Sequence, residues 1–164
     1  MAARVLVSSC LLGAEVRYHG GSARIASGIL ERWQREGRIL AVCPEVAGGL
    51  GTPRPPAEIV NGTGALVLTG GAAVRTNAGG DVTDAFRAGA AHAVRLAAEN
   101  GIRVAVLKTG SPSCGIGAIY DGTFTGTKTA GDGVTAAALR AAGVEVFSEL
   151  ELREADVALR ALER

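Results

Sequence analysis

Three cysteines, Cys10, Cys43 and Cys114, are the residues of this 164-residue chain best suited to chemistry. An odd number argues against a disulfide framework and toward metal binding, catalysis or simple burial. Three thiolates could hold zinc, supply a nucleophile with a resolving pair, or ligate an iron-sulfur cluster. Structural zinc sites usually draw ligands in close pairs such as C-x-x-C and complete four positions, and neither pattern is visible. The only histidines are His19 and His92. His92 falls within a helical pattern, so a Cys-His nucleophile would have to use His19, near Cys10. A four-iron cluster normally takes four cysteines. Three leave one iron open, and an open iron is a Lewis acid for a soft donor such as sulfur.

The elements around the cysteines give them a common address. Arg4 to Ser9 is an apolar, β-branched run ending at Cys10, and Arg38 to Val42 is a second, ending at Cys43. Arg103 to Leu107 is a third, with Cys114 in the loop just after it. If these strands are parallel, all three thiols lie outside the carboxyl ends, where open α/β sheets place ligands. Ser22 is a suitable N-cap for an amphipathic helix through Ile25, Ile29, Leu30 and Trp33, stopping at Gly37. The Pro- and Gly-dense segment CPEVAGGLGTPRPPAEI reads as an irregular loop. Ala65 to Leu68 and Ala73 to Thr76 read as a hairpin or bent strand pair. Asp81 caps a long helix through Val82, Phe86, Ala90, Val94 and Ala97, ending at Asn100-Gly101. A second Gly-rich loop, TGSPSCGIGAIYDGTFTG, precedes a helix in GDGVTAAALRAAG; Val144 to Phe147 is a last strand and Glu151 to Glu163 a last helix. Strands alternating with helices predict a single-domain, Rossmann-like three-layer α/β fold over residues 1–164 with a mostly parallel sheet. Neither a G-x-G-x-x-G turn nor a Walker A loop is present.

Composition sets outer limits. Apolar residues make up 48% of the chain, 24 residues are Gly, and the formal charge is +1. Charges of both signs are interspersed, so a long nucleic-acid partner is not expected. The N-terminal apolar run is too short for a secretory signal or a membrane span, which makes the cytoplasm the expected location and a membrane partner unexpected. Both monomer and homodimer are compatible with the sequence.

Seven blocks together resemble the thiouracil desulfidase family: SSCLLG followed by RYHG, CPEVAGGLGTPRPPAEI, GGDVTDAF, LKTGSPSCGIGAIYDGTFTG, GDGVTAAALR and VFSE. The resemblance runs from Val7 to Glu149, with one departure, His19 where the pattern has Asp. It implies a 4Fe-4S cluster held by residues matching Cys10, Cys43 and Cys114, with the fourth iron free for substrate sulfur. It also implies non-redox conversion of a thiocarbonyl to a carbonyl on 2-thiouracil, 4-thiouracil or 4-thiouridine nucleotides, a small-molecule thiolated pyrimidine in each case. The rival readings are a non-catalytic iron-sulfur sensor or electron carrier, and a zinc-dependent hydrolase.

Within that resemblance several residues take expected roles. Glu45, two residues after Cys43, is the candidate base for water, against a solvated loop carboxylate as the plain alternative. Ser111 and Ser113 flank Pro112 before Cys114 and could relay a proton or bind the ring, with Ser111 preferred. Arg54 and Lys108 could offer cationic hydrogen bonds to a uracil oxygen or a phosphate, with a salt-bridged loop residue as the equal alternative for each. Asp121 is expected to form an Asx turn before Gly122. Gly131 and Gly133, before the helix of Val134 to Leu139, could form an anion site at its N-terminus.

Overall fold

A computed structural model describes residues 2–164. Its centre is a four-stranded parallel sheet of β1 (Val5–Ser8), β2 (Ile39–Val42), β5 (Val104–Leu107) and β8 (Glu145–Ser148), in the order β2-β1-β5-β8. The register sets Val5 opposite Ile39 on one side and Val104 on the other, and Val104 opposite Glu145. β1 and β5 are buried at every position, as strands covered on both faces must be.

Side-chain alternation along these strands builds two cores. Leu6, Ala105 and Leu107 pack with Ala93 and Ala97 of α4 (Thr83–Glu99) and with Ala136 and Leu139 of α5 (Val134–Ala141). Val5, Val7, Val104 and Val106 point the other way, onto Leu30 and Trp33 of α1 (Gly28–Arg35) and Ala155 and Leu159 of α6 (Leu152–Ala161). The result is the expected three-layer α/β arrangement. Trp33, fully buried, also donates its Nε1 proton to Asp156 at 3.0 Å and so ties α1 to α6. A third cluster, including Ile59, Val74, Phe86 and Ile119, sits under two antiparallel strand pairs. These are β3 (Ala57–Val60) with β4 (Ala73–Thr76), and β6 (Ala118–Tyr120) with β7 (Lys128–Ala130). Among the described residues no helix is long and apolar enough to cross a membrane.

Several local expectations are corrected. The first helix begins at Gly28, capped by Ser27, whose hydroxyl accepts the Leu30 N–H. Ser22 does not cap it, because the preceding stretch is held extended: Ala23 and Ile25 donate to the carbonyls of Cys10 and Leu11. Ala65 to Leu68 belongs to a helix, α3 (Gly64–Thr69), closed by Gly70 at φ 88°, so β4 pairs with β3 instead. The segment after Cys43 contains a one-turn helix, α2 (Pro44–Ala47), with Pro at its first position, followed by β3. The second Gly-rich loop contains β6. Asp81 lies one residue before the cap position Val82, yet its carboxylate accepts the Thr83 N–H at 2.9 Å.

Candidate active site

The three cysteine segments leave the carboxyl ends of three adjacent strands. Cys10 lies in a one-turn 3-10 helix, Ser9–Leu12, directly after β1. Its carbonyl accepts the N–H groups of Gly13 and Ala23, and Gly13 at φ 103° lets the chain reverse there. Cys43 is the N-cap residue of α2. Cys114 follows β5 through a turn built on Ser111, whose Oγ accepts the N–H groups of Ser113 at 3.0 Å and Cys114 at 3.1 Å. All three thiols line one pocket of about 650 Å³.

Burial raises the pKa of each thiol. For Cys10 the neighbouring Cys43 adds to the effect of burial, while Arg17 and Lys108 oppose it. For Cys43 burial outweighs a backbone N–H from Val46. Cys114 is pushed furthest, against a hydrogen bond donated by Ser8 Oγ to its sulfur at 3.5 Å. In the metal-free protein near neutral pH such thiols stay protonated, and a bound cation would be what draws the protons off.

A polar relay crosses the same pocket. Glu45 Oε1 lies 3.2 Å from Arg54 Nε, and Glu45 Oε2 accepts from Ser111 Oγ at 3.3 Å. Arg54, only 7% exposed, also donates to the carbonyls of Gly51 and Val16 and to Thr52 Oγ1. It therefore fixes Glu45 in one orientation rather than offering a free cation to the pocket. Lys108 lines the pocket with Nζ 3.2 Å from Glu149 and within hydrogen-bond reach of both oxygens of Thr109.

The structure thus gathers Cys10, Cys43, Cys114, Glu45, Ser111, Arg54 and Lys108 around one cavity. Ser113 stands apart, 1% exposed, sharing a 2.8 Å hydrogen bond with Thr135 of α5. Gly131 and Gly133 stand apart too. The N–H groups of Gly131, Gly133, Val134 and Thr135 go to the carbonyls of Gly117, Gly115, Pro112 and Ser113. That end of α5 clasps the Cys114 loop and has no such donor left for an anion. His19 is exposed, accepts the N–H of Gly21, and does not line the pocket. Asp121 forms its turn, accepting the Thr123 N–H at 3.0 Å.

Other lining residues escaped the sequence reading. Ser8 bridges Cys114 and the Lys108 N–H, and its place two residues before Cys10 was a usable signal. Glu58, Tyr120, Phe124 and Lys128 reach the pocket only through the two antiparallel strand pairs, and nothing in their sequence marked them.

The donor set suits an iron-sulfur group. Among the described residues no three His, Cys, Asp or Glu side chains are grouped closely enough to hold a single metal ion. Three soft sulfurs spread around a cavity match a polynuclear centre better than one zinc ion.

Comparison with known proteins agrees with this chemistry. The chain is 49% identical over 150 residues to the Bacillus subtilis (strain 168) protein YbbK, itself uncharacterised, covering 92% of this chain and 98% of that one. It superposes with a TM-score of 0.88 on the solved structure of TudS, a 4Fe-4S-dependent thiouracil desulfidase, at 50% identity and covering 97% and 99% of the two chains. The profile of the 2-thiouracil desulfurase family matches residues 5–151, which span the sheet and all three cysteine segments, and the chain belongs to that family.

Proposed function

We propose that this protein is a non-redox desulfidase of thiouracil-type bases, nucleosides or nucleotides, replacing C=S by C=O with water and releasing sulfide. The observation that carries the reading is the meeting of Cys10, Cys43 and Cys114 with the Glu45–Ser111 pair on one cavity. The three thiolates would hold a 4Fe-4S cluster, which when bound supplies a Lewis-acidic iron for the soft thiocarbonyl sulfur.

The chain's own residues account for the rest. Arg54 holds Glu45 by Oε1 and leaves Oε2 toward Ser111. A water beside Oε2 can pass its proton to the carboxylate as its oxygen bonds to the ring carbon, and Ser111 Oγ keeps that oxygen of the carboxylate in place. The C–S bond then breaks as the added oxygen gives up its remaining proton to solvent and becomes the carbonyl, and the proton on Glu45 leaves with the sulfide as HS−. Lys108, tied to Glu149, sets an ion pair beside Cys10 whose ammonium favours the thiolate and whose carboxylate opposes it.

The test is anaerobic reconstitution with iron and sulfide. Protein so treated should carry about four irons and four sulfides per chain and convert 2-thiouracil or 4-thiouracil to uracil with one sulfide released. Ser in place of any one cysteine should lose iron and turnover together. Full desulfuration by a cysteine variant, or an active zinc form without iron, would overturn the reading. Iron retained with no turnover on any thiopyrimidine would point instead to a sensor or carrier.

A further inference from the structure

Phe124 sits at the tip of the β6–β7 hairpin with φ 57°, a left-handed backbone conformation unfavourable for a bulky residue. Such conformations persist when surrounding contacts fix them, and they concentrate at ligand clamps. Here the fixing group is Glu58 on β3. Its Oε1 accepts the N–H of Gly122 at 2.9 Å and that of Phe124 at 3.2 Å. Gly122 completes the clasp: a Cβ there would lie 2.6 Å from the Ile59 carbonyl oxygen, so the tip rests directly on the β3 backbone. Among the described residues Glu58 makes no salt bridge, which leaves this carboxylate serving two backbone donors at the pocket wall.

The ring so presented does no core packing. Phe124 is 37% exposed and belongs to none of the three hydrophobic clusters, yet it lines the cavity that holds the three thiols. A flat apolar surface, held in an unfavourable backbone state beside a cavity lined by both apolar and polar groups, suits a flat heteroaromatic ligand. Stacking recognises any base by its π-face.

We propose that Phe124 is the stacking face of the pyrimidine subsite and that Glu58 is the positioning residue that holds it there, an assignment that rests on the desulfidase reading. Stacking acts equally on bound substrate and transition state, so its loss falls on KM rather than kcat.

The experiment is steady-state turnover of 4-thiouracil by the reconstituted protein, with iron content and melting temperature measured on every variant. Phe124→Gly accepts the positive φ without strain, so the fold survives while the ring is lost; KM should rise about tenfold or more with kcat near the parent value. Phe124→Tyr keeps the ring and should keep the parent KM. Glu58→Ala should share the rise, and Glu58→Gln, whose carbonyl still accepts both N–H groups, should reverse it. The double variant Phe124→Gly, Glu58→Ala should be no worse than Phe124→Gly alone. An active parent whose Phe124→Gly form keeps its KM, or a Phe124→Tyr form as impaired as Phe124→Gly, overturns the stacking assignment alone. A further KM rise in the double variant overturns the positioning role of Glu58. A parent inactive on every thiouracil, with full iron, overturns the desulfidase reading and this inference with it.

Discussion

Gly89→Ala is a sharp test of how the fold places Glu45. A Cβ at Gly89 of α4 would lie 2.0 Å from the Pro44 carbonyl oxygen, and one at Gly48, just past α2, would lie 2.0 Å from that of Ala85. The two helices therefore touch backbone to backbone, directly beside Cys43 and Glu45. Restoring ordinary van der Waals separation requires a movement of roughly 1 to 1.5 Å, and no side-chain rotamer can supply it. Overpacking of this kind costs about 1–3 kcal/mol, with rigid backbone on both sides favouring the upper end. The better helix propensity of Ala returns about 1 kcal/mol. The net loss of roughly 2 kcal/mol corresponds to a melting temperature lower by about 4–8 °C for a chain of this size. A carboxylate displaced by about 1 Å can lose on the order of 100-fold in turnover. Calorimetry and thiouracil turnover, normalised to iron, measure both effects. Gly28→Ala supplies the opposite sign, since a Cβ there meets nothing within 4 Å and the position opens α1. It should stabilise by up to about 1 kcal/mol with unchanged turnover. A Gly89→Ala protein with the parent's melting temperature and rate would show that the α2–α4 contact yields freely and does not position Glu45.

The remaining predictions concern single polar groups. Glu45→Gln keeps size and hydrogen bonding but cannot take a proton, so turnover should fall on the order of 100- to 10,000-fold with iron content unchanged, as followed by 4-thiouracil absorbance. Ser111→Ala removes the acceptor for the Ser113 and Cys114 N–H groups as well as the Glu45 contact, so it should lose iron and activity together on anaerobic dialysis. Burial of the Asp156 carboxyl opposes its ionisation, but hydrogen bonds from Arg32 and Trp33 and the charges of Arg32 and Arg160 outweigh it and hold the pKa below the usual carboxylate value. The stability it contributes is present above its unfolded pKa of about 3.9 and is lost as pH falls through the lower folded value. Urea midpoints of the parent should therefore drop more steeply below about pH 5 than those of Asp156→Asn; parallel profiles would exclude the linkage.

The parts of this molecule that could be read from sequence are those governed by local pattern. Short buried parallel strands appear as apolar runs, and each of the three cysteines stands at or just after the end of one, which is enough to put all three on a single edge. Local pattern failed where tertiary contacts decide. Gly64 to Thr69 is rich in residues that suit a strand, but Gly64 fits so tightly against the Gly133 carbonyl, where a Cβ would lie 2.2 Å away, that the segment packs as a helix on α5. Ser22 and Ser27 are equally good caps in isolation, and hydrogen bonds to the Cys10 turn select the second. Gly131 and Gly133 read as an anion cradle because the sequence does not reveal that the Cys114 loop consumes the donors. Glu58 and Phe124 meet across 66 positions, a distance over which spacing carries no signal.

The strand order β2-β1-β5 has a consequence for how this chain tolerates changes in length. The connections between these strands, residues 9–38 and 43–103, contain whole helices and the β3–β4 strand pair, and inserts on their exposed turns leave the strand ends where they are. A single-residue deletion inside β1 is different in kind. It slides everything beyond it by about 3.3 Å along the strand and puts the strand residues that follow on the opposite face of the sheet, so that Cys10 is drawn toward the place Ser9 now occupies and Leu11 toward that of Cys10. Long gaps in the crossovers of related chains are thus compatible with an intact rim, whereas a one-residue gap between Val5 and Cys10 is not.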